Sequence, residues 1–511
     1  MKYIRTLCTL LFGVAVLLFF GLVYPHHLHY QEQYQLFLLD STYVWEIVRQ
    51  PGGVADLLGR FCTQFFLYAW VGATIIALLL SAVQLLTLRL INSQLSTLNS
   101  QFFYGLSFVP SFLLWLFLVD ENALLSGVWA VLLTLLVGSV VIPPALRARP
   151  SSSASGSGVV SSAAHHWLRY LLFVIAIPVL YFLAGPVCLP IPIDSIWQGI
   201  HYHRYPTVFP WLLWGASLSV FVLIIAVRLV TTKWSPLNKR RSERPADRKE
   251  KVTPALKWSP ILVFYFIIFA LGGYLVWKNA NFKAEKVMQY DFMARHQQWN
   301  RILETINAEK PNNQIGVTVQ NLALAMHGVL LENMFNYNQN GIAGLLPDVK
   351  EDATSPLPTA EAFYQLGMIN VAQRTVFEAQ EAILDFQKSA RCYKRLAQTN
   401  LINGQYAVAR KYLSALQKTL FYREWADETL LLLGNEEAIA RHPEYGRLRQ
   451  WAYKEDLTSG DFYFSDHVTP EMLESLYQCN PDNRLAYQYL LAYYLLTGDR
   501  ESFNHFISIQ R

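Results

Sequence analysis

Cysteine pairs are missing from this chain. Its five cysteines (Cys8, Cys62, Cys188, Cys392, Cys479) are scattered, with no Cys-x-x-Cys, which excludes a zinc ribbon or a thioredoxin-type redox motif. A bond between Cys392 and Cys479 would require an oxidising compartment; buried free thiols are the plainer expectation. Charge is sparse too, at 15% of residues, and it is unevenly placed. Residues 1–278 carry 20 Lys+Arg against 10 Asp+Glu, and residues 279–511 carry 22 against 27. A mildly acidic second half has no electrostatic footprint for nucleic acid. The basic excess of the first half belongs instead to membrane topology. Ionisable residues are also lacking in mid-span, which argues against a transport path.

Long apolar runs are what the first half has in abundance. Lys2 and Arg5 precede the run 7–24. Its apolar core is too long for a signal peptide, and no small-x-small cleavage site follows, so it reads as an uncleaved first span. Further runs of about 20 apolar residues lie at 65–88, 102–119, 124–142, 168–185, 210–230 and 258–277. Seven spans result. Nine basic residues crowd between the last two, from Lys233 through Arg240, Arg241 and Arg244 to Lys257. Such a loop (231–257) resists translocation, which puts the N-terminus inside and everything after 278 outside. The linker 151–162 (SSSASGSGVVSS) is low-complexity and flexible.

Beyond residue 278 the pattern is polar and helical. Tyr393, Leu396, Ala397, Gly404, Tyr406, Ala409, Leu413 and Leu416 fit one tetratricopeptide-like helical hairpin that turns at Asn403-Gly404. Tyr487, Leu490, Leu491 and Tyr494 followed by Thr497-Gly498-Asp499 fit a second, and 299–309 and 363–374 are looser matches. The expected fold is therefore all-α: a multi-span bundle over 1–278, then a degenerate helical-hairpin solenoid over 279–511. Arrays of that kind either bind a partner on their concave face or act as spacers.

Candidate chemistry concentrates in the first outer segment, 25–64. Pro51-Gly52-Gly53 divides it. After the turn, Val54, Leu57, Leu58, Phe61 and Phe65 form one apolar helical stripe, with Asp56, Arg60 and Gln64 opposite and Asp56–Arg60 spaced for an i,i+4 pair. Before it, Tyr34, Phe37, Leu38, Trp45 and Val48 form a second apolar face, so two interfacial amphipathic helices are expected. The polar remainder includes His26, His27, His29, Glu32 and Asp40. A carboxylate held beside apolar helices can act as a general base through a raised pKa. Equally, such residues can simply solvate an interfacial loop. Three imidazoles in four positions cannot converge on one ion without an irregular backbone, so no metal site is assigned. Asp120 and Glu121 occupy a tight outer hairpin, and Arg204 is the outer cation best placed for a phosphate.

Four stretches, LHYQEQYQLF, RQPGGVADLLGRFCTQFF, NLALAMHGVLLENMF and LINGQYAVARKYLSALQKTLFYREWA, resemble a family of Bacteroidota multi-span proteins to which no activity is attached. That resemblance implies an inner-membrane location and a periplasmic C-terminal domain. The architecture is also similar to GT-C-type membrane glycosyltransferases. It implies a polyprenyl-phosphate-linked sugar donor, Glu32 or Asp40 as catalytic base, Asp40 or Asp120 orienting the acceptor or holding a divalent cation, and Arg204 on the leaving phosphate, with His29 and Glu121 completing the substrate site. Many members place an aspartate directly after the first span, where this chain has His26 and His27. The rival expectation is a non-enzymatic envelope scaffold, anchored in the lipid bilayer and binding a periplasmic protein through its helical hairpins.

Overall fold

A computed structural model describes residues 2–50, 52–92, 100–141, 210–242, 254–348, 355–383, 387–452 and 469–509. The expected span 168–185, the linker 151–162 and Arg204 lie outside the described residues. Among those described, the chain is all-helical and forms no strand. It divides into two compact units, 1–31 with 42–281 and 32–41 with 282–511. The chain thus enters the second unit briefly at Glu32–Ser41, returns to the first, and leaves it again after Asn281.

The first unit comprises α1 (Lys2–Leu18, prolonged by a π-helical turn Phe19–Val23), α2 (Pro25–Glu32, its last residue passing into the second unit), α3 (Ser41–Val48), α4 (Gly53–Thr63), α5 (Ala69–Asn92), α6 (Ser100–Leu106), α7 (Val109–Leu118), α8 (Leu125–Val141), α9 (Trp211–Ser242) and α10 (Pro254–Asn279). Among the described residues, four stretches are long and apolar enough to cross a membrane: Tyr3–Val23, Ala69–Ile91, Gln101–Leu118 and Ile261–Asn279. Expected spans 124–142 and 210–230 correspond to shorter apolar helices, Leu125–Ser139 and Trp211–Val227.

Large apolar side chains point outward from this unit: Leu78 is 65% exposed, Phe266 72% and Trp211 75%. Its interior, by contrast, holds polar groups. Gln84, Ser107 and Ser111 are fully buried. Gln84 Nε2 donates to Ser107 Oγ (2.8 Å), Ser111 Oγ to the Leu80 carbonyl (2.8 Å), and Thr9 Oγ1 to Gln84 Oε1 (3.2 Å). Where water is absent, buried polar groups must bond one another between helices. Pro110 sits at the start of α7, and the Ser107-Phe108 turn separates α7 from α6; proline's missing N–H accounts for a break inside one apolar span. Rings of Phe12, Phe108, Phe112, Trp115 and Phe269 pack edge-to-face around α1.

The second unit comprises α11 (Phe282–Arg295), α12 (Trp299–Glu309), α13 (Gln314–Met326), α14 (Pro356–Leu366), α15 (Ile369–Ala382), α16 (Ala390–Ile402), α17 (Tyr406–Leu416), α18 (Arg423–Leu430), α19 (Tyr445–Trp451), α20 (Pro470–Cys479), α21 (Arg484–Thr497) and α22 (Arg500–Ile509), with short turns between. Neighbours pack as pairs, α14 on α15, α16 on α17 and α20 on α21. Gly404 (φ +74°) ends α16 in the left-handed region that glycine enters without strain, which reverses the chain into α17. The region 363–374 straddles a similar turn at Gly367. Its core is conventional: Leu366, Leu401, Leu448, Leu473 and Leu490 are at most 1% exposed. Cys392 and Cys479 are free thiols.

Candidate functional site

The segment 32–41 is where the helical domain receives a foreign-looking piece of chain. Two amphipathic helices were expected over 25–64; the structure has three, with α2 stopping at Glu32, a turn at 33–34 and residues 35–40 outside any regular element before α3 begins at Ser41. The reason lies in the partners. Leu36 and Leu38 lie in this non-helical stretch. Both pack into a cluster with Ala390, Ala397, Leu413, Leu416 and Tyr422. The Leu36 N–H donates to the Lys388 carbonyl (2.8 Å) and the Leu39 N–H to the Lys418 carbonyl (2.6 Å). Tertiary main-chain bonds and a leucine pocket outweigh the helical pattern that Tyr34, Phe37 and Leu38 suggest.

Charged groups close over the start of this segment. Ser389 caps α16 by accepting the Cys392 N–H (3.2 Å), which fixes the first turn bearing Arg391. The Arg391 guanidinium forks onto Asp291 (2.6 and 2.8 Å) and donates a further bond to Gln33 Oε1 (3.0 Å). Beside it, Tyr422 OH donates to Glu32 Oε1 (2.9 Å) and accepts from Arg295 Nη2 (3.1 Å). Glu32 is 4% exposed, and its second oxygen, Oε2, has no hydrogen-bond partner. Burial pushes its carboxyl up, against the pull of Arg295, the Tyr422 hydroxyl and Arg391. The same burial, with Glu32 beside it, pushes the Tyr422 phenol up. At the far end Asp40 forms an ion pair with Lys418, whose side chain is half-exposed; a pair so placed contributes less than about 1 kcal/mol.

The remaining candidates sit in the first unit. His29 is half-buried, its ring centroid 5.6 Å from that of His26. His27 is fully buried and its Nε2–H donates to the Leu118 carbonyl (2.9 Å). Burial lowers its pKa to about 4, so the ring is neutral at neutral pH. Asp120 is exposed, its Oδ1 accepts the Asn122 N–H (2.8 Å), and its carbonyl accepts the Ala123 N–H (3.0 Å), so it caps its own hairpin. Glu121 is half-buried in the same turn. The structure therefore ties Glu32 and Asp40 to the helical domain, while His29, Asp120 and Glu121 belong to the other unit. Among the described residues, no three His, Cys, Asp or Glu side chains are grouped to hold a metal.

In α4 the expected Asp56–Arg60 pair forms (2.6 Å), but it points inward. Asp56 is 4% and Gln64 7% exposed, whereas Val54 is 52% and Phe61 40% exposed. Gly59 lies so close to α8 that a Cβ there would meet the Ser126 backbone at 2.6 Å. Small and polar residues thus face protein while the apolar stripe faces out, the arrangement suited to a lipid or interfacial environment.

Sequence reasoning missed Asp291, Arg295, Arg391 and Tyr422. A signal for Arg391 was present: Arg391, Lys394, Arg395 and Gln398 recur at i, i+3, i+4 and i+7 on one face of an otherwise apolar helix.

These features define an all-helical protein with several membrane-type helices and a helical domain that clasps a segment of its own chain. The chain belongs to a family of unknown function (DUF6057), whose pattern it matches over residues 1–511. No curated protein and no solved structure matches it.

Proposed function

We propose that this protein is a non-enzymatic scaffold of the cell envelope. Seven spans anchor it in the inner membrane, and its C-terminal domain, on the periplasmic side, binds a protein partner. One observation carries the reading: the helical domain already holds residues 33–40 of its own chain as a non-helical segment, through two main-chain bonds and the pocket around Leu36. Recognition through main-chain bonds plus a pocket for selected side chains is a general mode of peptide capture. Glu32 and Asp40 serve this clasp, one through Tyr422 and the other through Lys418.

A GT-C-like transferase is the second reading, favoured by the buried Glu32 carboxyl with its raised pKa and idle Oε2. Glu32 would then take the proton of an acceptor hydroxyl as a sugar leaves a polyprenyl-phosphate carrier. Mass spectrometry of lipid-linked sugars and surface glycans separates the two. The comparison is between wild type, a deletion strain, and Glu32→Ala at matched protein level. The scaffold reading expects all three profiles to coincide. It also expects a photo-crosslinker at Leu420, 45% exposed, to trap one discrete partner. Accumulation of the same lipid-linked sugar in the deletion and Glu32→Ala strains would replace it with the transferase.

A further inference from the structure

The segment that the helical domain clasps is an imperfect occupant of a well-formed pocket. Glu32 and Gln35 are each 4% exposed, and Glu32 Oε2 and Gln35 Oε1 have no hydrogen-bond partner among the described residues. A buried polar atom left unbonded loses the water it would have in the open chain and gains nothing in return. Leu39 remains 46% exposed, so it adds little to the fit. The receiving surface is better made. Ala390 and Ala397 on α16 are small, and Leu413, Leu416 and Tyr422 complete a floor that takes Leu36 and Leu38. The carbonyls of Lys388, just before α16, and Lys418, just after α17, accept the Leu36 and Leu39 N–H groups, and the Lys418 ammonium meets Asp40. Residues 33–40 belong to no helix, and the chain on either side of 32–41 belongs to the other unit. The segment can therefore leave without unwinding the helices that form the pocket.

We propose that residues 33–40 are a resident stand-in, displaced by a partner protein's non-helical segment that carries Leu-x-Leu followed two residues later by an acidic side chain. That pattern is Leu36, Leu38 and Asp40 in the stand-in. Its two leucines fill the cluster on α16 and α17, and its acid meets Lys418. A partner with an apolar residue where the stand-in has Gln35 leaves no amide oxygen unbonded there, and so binds the pocket more tightly than the occupant does. The tethered copy in turn keeps the pocket closed to weaker sequences, because its local concentration is high. The inference rests on the scaffold reading and gives the chemistry of the partner.

Hydrogen exchange of the purified full-length protein in detergent, read by mass spectrometry, tests this with a synthetic peptide of residues 30–41 carrying Gln35→Met. At about 1 mM, the order of a short tether's effective concentration, the peptide is expected to strip protection from the tethered residues 33–40 while α16 and α17 stay protected. The unsubstituted peptide should be about tenfold weaker, and one carrying Leu36→Ser and Leu38→Ser should have no effect. In the protein itself, Leu36→Ala should lower the half-maximal peptide concentration about tenfold or more. Unchanged protection of 33–40 in the wild type, protection lost from α16 and α17 together with it, or equal potency of the serine peptide overturns the proposal. A failure here is distinct from failure of the scaffold reading. If displacement fails but a crosslinker at Leu420 still traps one partner, that partner binds another face of the domain. If displacement succeeds but the deletion and Glu32→Ala strains accumulate a lipid-linked sugar, the scaffold reading falls and the displaceable segment stands.

Discussion

Helices α4 and α16 look alike as patterns and behave oppositely as structures. Each has an apolar side and a side bearing arginine. In α4 the Asp56–Arg60 pair turns inward and Val54 and Phe61 face out. In α16 Leu396, Ala397 and Leu401 are buried in the core, and the charged side is covered as well, by Asp291, Glu361 and the segment 32–41. The difference extends to the units that contain them. In the first, exposed apolar side chains surround a hydrogen-bonded polar interior; in the second, leucines fill the core and the surface is largely polar. A helix takes its orientation from the solvent its unit meets, so amphipathicity alone says where the two faces are but not which one is inside.

The comparison breaks most visibly at Arg391. Its removal leaves the half-buried Asp291 without its counter-charge and releases Gln33. Arg391→Ala is expected to destabilise the second unit by about 3–5 kcal/mol, the cost of breaking a buried pair. Urea unfolding of the full chain in detergent measures this. A loss below about 1 kcal/mol would mean that the pair behaves as a surface one.

A smaller contrast sharpens the claim about solvent. Leu78 and Leu431 are both strongly exposed, at 65% and 79%, but they belong to different units. Lysine at the centre of a membrane helix costs about 2.5–3.5 kcal/mol on insertion scales, so Leu78→Lys should impair insertion. Leu431→Lys should stay within about 0.5 kcal/mol of wild type. A protease-protection assay of both variants decides it, and equal tolerance would place the outer face of the first unit in water.

Glu32 offers the smallest effect and a definite sign. Burial raises its carboxyl pKa in the folded domain. Protonation therefore favours the fold, and the associated stability is fully present below the ordinary carboxylate range and lost as pH rises through the raised value. Glu32→Gln carries no charge at any pH. Its unfolding midpoint should match wild type in acid and exceed it toward neutrality. A variant less stable than wild type at neutral pH would show that attraction from Arg295 and Arg391 outweighs burial.

Much of the fold was legible in the residues. Apolar runs such as 7–24 and 65–88, which the structure has as helical stretches over 3–23 and 69–91, need no partner to be recognised, because length and composition alone suit a bilayer. Gly404 and Gly498, both at positive φ, mark turns that local chemistry dictates. The i,i+4 spacing of Asp56 and Arg60 likewise implied their ion pair. The candidate site was less legible. Glu32 and Asp40 were visible as polar residues after a span, but Tyr422 lies 390 residues from Glu32 and Lys418 lies 378 from Asp40. Contacts at such separation leave no trace in local periodicity. Sequence by itself therefore determined an all-helical chain, its apolar helices and several of its turns, since these follow from short-range sterics and transfer free energy. Only tertiary structure decided that residues 35–40 leave the helix and that α4 turns its charges inward, because both depend on partners that folding alone brings together.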